Sequence, residues 1–107
     1  MSVIAVLQAG LDARGHSYAV QRALWAEDRD IADLDTLHAI ARAELGAEQA
    51  RRFDFGNPSD AVVAQWSRNL ADSQELGIFG TPTYVVDREL FWGQDRLDLV
   101  ERALQAA

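Results

Sequence analysis

Gly77-Ile78-Phe79-Gly80-Thr81-Pro82-Thr83-Tyr84-Val85-Val86-Asp87-Arg88-Glu89-Leu90-Phe91-Trp92-Gly93-Gln94-Asp95-Arg96-Leu97 carries the punctuation that decides the fold. Gly77 can leave a right-handed helix through the left-handed region, so it reads as the C-cap of the helix before it. After Gly80-Thr81-Pro82 the period changes. Thr83-Tyr84-Val85-Val86 is β-branched and aromatic, the composition of a strand. Asp87-Arg88 then makes a short hairpin turn, although it is not the preferred Asp-Gly, and residues 89–91 return as a second strand. Asp95 stands where a helix N-cap belongs, and Leu97, Val100 and Leu104 are spaced along the inward face of a final helix. A lone hairpin is only marginally stable and leaves two open edges, so other structure is needed to cover them.

Upstream of this stretch the apolar period is helical throughout. Val3, Ile4, Leu7 and Leu11 form a first helix that Gly15 is expected to stop. Ser17 is the expected N-cap of a second helix carrying Val20, Leu24 and Trp25. An acidic connection over residues 27–35 leads to a third helix, capped by Asp33 or Asp35, with Leu37, Ile40, Ala41 and Leu45 inward and Gly46 at its end. Residues 47–53 read as a short fourth helix. Asn57-Pro58 signals the start of a long fifth, with Asn as N-cap, Pro in the first helical position and Asp60 at the positive end of the dipole. Val62, Trp66 and Leu70 recur every four residues along it, and Trp25 and Trp66 are expected in the core.

Composition narrows the function. A chain of 107 residues supports one domain near the size at which partners help. The net charge is −7, and no basic run suggests nucleic acid. All ten basic residues are arginine. There is no cysteine, so these residues alone perform no thiol–disulfide exchange and build no thiolate metal site. Met1-Ser2-Val3-Ile4-Ala5-Val6-Leu7 lacks the basic start of a signal peptide and is too short to span a membrane, which makes a cytoplasmic setting the expectation. His16 and His38 show no paired-ligand spacing and are expected in surface or capping roles. The acidic run 27–35 fails the calcium-loop pattern, since Ala32, Asp33 and Ala39 fall where a ligand, a glycine and a bidentate glutamate belong. No Ser–His–Asp order, phosphate-binding loop or dinucleotide fingerprint occurs.

The wording of the C-terminal stretch, above all Phe91-Trp92-Gly93-Gln94-Asp95-Arg96-Leu97, resembles the 2-hydroxychromene-2-carboxylate isomerases. These are glutathione-dependent relatives of kappa-class glutathione transferases and DsbA-type oxidoreductases. Arg22-Ala23-Leu24-Trp25-Ala26-Glu27-Asp28-Arg29-Asp30-Ile31-Ala32-Asp33 is similar to the helical insertion of that family. The resemblance implies an α+β, mostly helical fold in a single domain. Residues 1–77 would be the helical insertion, and residues 78–107 the cis-Pro turn, β-hairpin and final helix of a thioredoxin-like fold.

It also implies a site. The Thr81–Pro82 bond would be cis, and the Thr81 backbone would pair with the cysteinyl unit of glutathione as an added strand. Gln94 and Asp95 would hold the γ-glutamyl end. The family's fold opens with a βαβ unit bearing a serine that contacts the glutathione sulfur. The resemblance places the start of this sequence inside the insertion, so no catalytic residue is assigned. Ser17, Ser59, Ser67 and Ser73 stand in the wrong contexts to replace that serine. Activity is expected only with a complementary N-terminal thioredoxin-like piece.

The residues themselves leave alternatives open. Pro82 fits an ordinary trans-proline as well, and Asp95 a plain N-cap. Phe79, Tyr84, Phe91 and Trp92 suit a substrate pocket, a core or an interface. A homodimer whose hairpins join into one four-stranded sheet would cover the open edges without any catalysis, and a fragment of a larger enzyme would read the same way.

Overall fold

Aspartate and serine side chains set where three of the five helices up to residue 75 begin. In the structure, a computed structural model that describes residues 1–106, α1 (Ser2–Gln8) leads to α2 (Ala13–Trp25), α3 (Leu34–Leu45), the single turn α4 (Ala47–Ala50) and α5 (Asp60–Glu75). The Asp12 carboxylate accepts the Gly15 amide at 2.9 Å and caps α2. This corrects two expectations, that Gly15 stops the first helix and that Ser17 caps the second. The break is made by Gly10, whose φ is +74°. Gly15 lies within the first turn of α2, where a β-carbon would run into the capping carboxylate. The roughly 1 kcal/mol that a glycine costs inside a helix is offset by a cap of about the same size.

Asp33 caps α3 as expected, accepting the Asp35 amide at 3.3 Å and the Thr36 hydroxyl at 3.2 Å. Gly46 ends it at φ +86°. α4 is shorter than the expected residues 47–53, because the Arg52 and Phe53 amides close tight turns onto the Gln49 and Ala50 carbonyls. α5 starts later than Asn57-Pro58 suggests. The Ser59 hydroxyl accepts the Val62 amide at 3.3 Å, whereas Asn57 donates its side-chain amide to Asp54 at 3.1 Å and belongs to the preceding turn.

The chain divides into two compact units, Met1–Ser67 and the residues from Arg68 onward. In the first, Ala19, Ala23 and Ile40 form the buried centre, with Val20 and Ile31 packed against it. Val6, Ala41, Ala50 and Val62 are buried as well. So many alanines bring helices close together and leave little room for an indole. Trp25, expected in the core, is 83% exposed, and Trp66 is 43% exposed.

In the second unit, α5 ends as Gly77 foretells. The Ile78 amide bonds to the Ser73 carbonyl at 3.0 Å and the Gly77 amide to Gln74 at 3.1 Å, with Gly77 at φ +77°. This paired closure is the Schellman motif. β1 (Thr83–Val86) and β2 (Glu89–Trp92) then pair antiparallel, with Thr83 opposite Trp92 and Val86 opposite Glu89. A 3₁₀ turn (Gln94–Arg96) leads into α6 (Leu97–Ala106). α6 packs on β1 and buries Val100, but Leu97 and Leu104, expected inward, are 52% and 60% exposed. Two strands present too narrow a face to cover a whole helical stripe. The architecture is the expected mostly helical α+β arrangement, and among the described residues no helix is long and apolar enough to cross a membrane.

Asp87 and Arg88 link the strands at φ +49° and +67°. Positive φ at both central residues is the type I′ geometry that suits the twist of a hairpin. Arginine is strained there, so Arg88→Gly should raise stability by about 1 kcal/mol, while Asp12→Ala should lower it by about 1 kcal/mol through loss of the cap. Thermal unfolding of the two variants checks both signs.

Candidate functional site

A hairpin returns the chain to where it started, so the residues before β1 and after β2 become neighbours. The Gly93 amide donates to the Pro82 carbonyl at 2.9 Å and holds these segments together. The sequence-predicted residues Thr81, Pro82, Gln94 and Asp95 therefore gather at one end of the hairpin. The Thr81–Pro82 peptide is cis, as expected. The Thr83 hydroxyl donates to the Gly80 carbonyl and closes the turn. The Trp92 indole lies so close over Gly80 that a β-carbon there would collide with it. Phe79 packs on the same indole, with ring centroids 5.5 Å apart and tilted by 44°. Phe79 and Trp92 are exposed beside the turn, whereas Tyr84 and Phe91, opposite each other across the hairpin, are half-buried.

Two features leave polar groups available here. Among the described residues, the Thr81 main chain makes no backbone hydrogen bond, and β1 has a single strand neighbour. Its outer edge can accept an extended segment. Asp95 departs from the expectation of an N-cap. The 3₁₀ turn is entered through Gly93 at φ +100°, and no side chain caps it. The tighter turn bonds the Arg96 amide to the Gly93 carbonyl at 3.3 Å, so the aspartate is not needed as a cap. Gln94 and Asp95 are both exposed, at the amide-rich start of a helical segment.

The helical unit holds a separate cleft of about 380 Å³, lined by Ser2, Gln8, Phe53, Asp54, Phe55 and Asn57 among others. None of the four predicted site residues lines it. Behind Ser2 and Phe55 lies His16, which is fully buried at 0% exposure, against the expected surface role. Its Nε2 is 3.2 Å from the Ser2 hydroxyl, its ring stacks on Phe55 at 6.0 Å, and its Nδ1 has no partner. Burial holds the imidazole below its ordinary pKa of 6.5, with the Glu44 carboxylate pulling weakly upward. A nucleophilic serine needs a base that a third group orients. The unpartnered Nδ1 supplies no such group, so the pair is a packing contact. One signal in the sequence points to burial: His16, Ala19 and Ala23 share one helical stripe. Nearby, the exposed Asp54 carboxyl is held below the usual carboxylate range. The Asn57 side-chain amide does most of this, with the Gly56 and Asn57 backbone amides and the charge of His38 adding to it.

His16 makes stability depend on pH. Above about pH 6.5 the imidazole is neutral in both folded and unfolded chains. Below that value the unfolded chain takes up a proton that the buried site resists, so stability falls as pH falls. The melting temperature should drop between about pH 6.5 and the lower folded-state pKa, and His16→Asn should flatten that slope whatever it does to stability at neutral pH.

Comparison with known proteins gives the family. The description "DSBA-like thioredoxin domain" matches residues 1–105. A 2-hydroxychromene-2-carboxylate isomerase of Pseudomonas sp. (strain C18) is 33% identical over 88 residues, covering 82% of this chain and 41% of the relative. Isomerases of the same name from Pseudomonas putida and Sphingobium xenophagum are 32% and 29% identical, covering 89% and 90% of this chain and 47% and 51% of theirs. The chain thus spans about half the length of the curated relatives it matches. No solved structure matches it significantly. The cis-proline turn, the hairpin with its following helix, and a family match over nearly every residue lead to one assignment: the chain belongs to the DSBA-like thioredoxin domain family.

Proposed function

We propose that this chain carries half of a glutathione site in an isomerase of the 2-hydroxychromene-2-carboxylate kind. One observation carries the reading. The Gly93–Pro82 hydrogen bond sets the unpaired Thr81 main chain beside the exposed Gln94 and Asp95. These groups suit the tripeptide. The Thr81 N–H and C=O pair with its cysteinyl unit as an added strand. Asp95 accepts from the γ-glutamyl ammonium, and Gln94 with the helix-start amides donates to the carboxylate. Bound glutathione supplies a thiol, which these cysteine-free residues lack. Pro82 holds the turn, while Phe79 and Trp92 offer an apolar wall beside it.

The serine that faces the sulfur comes, in this proposal, from a complementary N-terminal thioredoxin-like segment, in the same polypeptide or another. Residues 1–107 bind and orient, and catalysis waits for that segment. A cytoplasmic setting, where glutathione is reduced and abundant, belongs to the same reading. The open edges of the two-stranded sheet favour a second reading, a homodimer in which two hairpins pair into one sheet.

Titration of the isotope-labelled chain with reduced glutathione, followed by amide NMR, tests the site. Saturable shifts at Thr81, Gln94 and Asp95 are expected at millimolar ligand, weakened about tenfold in Asp95→Asn by loss of a charge-assisted bond. No saturable shift at these amides would remove the half-site. Light scattering decides the second reading, since a chain that stays at the 11.8 kDa monomer mass has no shared sheet.

A further inference from the structure

We propose that the indentation between α3 and the turn after α4 is an oxyanion site, which takes the carboxylate or phosphate group of a small ligand through Arg42, Arg51 and His38. It holds about 130 Å³ and is lined by those three side chains with Ala50 and Phe53. Every polar side chain around it can donate a hydrogen bond, and no carboxylate lines it. The chain carries 17 acidic and 10 basic residues, so two arginines in one pocket without a carboxylate make a locally positive spot on an acidic protein. Among the described residues, neither guanidinium makes an ion pair or a side-chain hydrogen bond. The nearby Asp54 carboxylate, which feels the charge of His38, does not line the pocket and is engaged by the Gly56 amide and the Asn57 side chain.

Arg42 lies in the last turn of α3, and Arg51 is the C-cap of α4. The helix dipole favours a cation at each such end. It does not account for two of them meeting in one pocket, nor for His38, which lies one turn before Arg42 on the same face of α3. The pocket exceeds the roughly 30 Å³ that a water occupies in the liquid and falls short of the about 300 Å³ of a site for a whole drug-sized ligand. A headgroup fits such a space. Planar guanidinium forks match carboxylate and phosphate oxygens, the His38 ring N–H adds a further donor, and Phe53 forms an apolar wall. The site shares no residue with the proposed glutathione half-site and does not depend on it.

The test titrates the full chain with inorganic phosphate and, separately, with benzoate. Sodium chloride holds the ionic strength constant, because screening alone moves exposed charges. Saturable amide shifts confined to His38, Arg42 and residues 50–53 are expected, with affinity lowered about tenfold in Arg42→Gln and in Arg51→Gln by loss of a charge-assisted bond. Saturation by phosphate alone assigns a phosphate ligand, by benzoate alone a carboxylate ligand, and by both a general oxyanion site. Both arginines are exposed, so the variants should keep the remaining spectrum, and Arg42→Lys, which keeps charge but loses the fork, should fall between. Shifts that never saturate, or that persist undiminished in the Arg42→Gln/Arg51→Gln double variant, overturn the proposal.

Discussion

β1 has a hydrogen-bonded strand on one side only, and much of the second unit follows from that imbalance. A sheet edge is a row of directional donors and acceptors that side chains from a helix do not replace. α6 therefore covers a face and leaves the edge open. Because the face is two strands wide, Val100 is buried while Leu97 and Leu104 stay exposed. The same edge continues into Thr81, whose main chain lacks a backbone partner among the described residues. One constraint thus leaves apolar surface uncovered and main-chain donors and acceptors unpaired beside the cis-proline turn.

The helical unit is governed by a different economy. Alanines at positions 19, 23, 41 and 50 are buried, so its helices approach closely and its centre is small. Large side chains are pushed to the rim, which explains the exposed Trp25 better than any local propensity. Within so tight a packing, the buried His16 imidazole substitutes for an apolar side chain: it stacks on Phe55 and satisfies one nitrogen through Ser2. Its second nitrogen stays unpaired, which is tolerable only while the ring is neutral.

Membership of a DSBA-like family with no cysteine in these residues separates fold from chemistry. The cis-proline turn and the hairpin are present, while these residues contain no thiol. The fold by itself therefore does not specify the chemistry, which depends on the groups at the site.

The sequence by itself determined the elements whose signals are local. Gly77 marked a helix end because a left-handed residue is needed there, Thr83-Tyr84-Val85-Val86 marked a strand through β-branching, and Asp33 and Gly46 marked the two ends of α3. The family resemblance, carried by a contiguous motif, was legible for the same reason. Tertiary structure decided what depends on competition or distance. Asp12 displaced Ser17 as the cap of α2, Ser59 displaced Asn57 at α5, and a 3₁₀ turn released Asp95 from capping, because several capping side chains stood close in sequence and only the packed backbone chose between them. Likewise the burial of His16 and the meeting of Arg42 with Arg51 join residues of different helices, and no periodicity within one helix encodes what its neighbour brings.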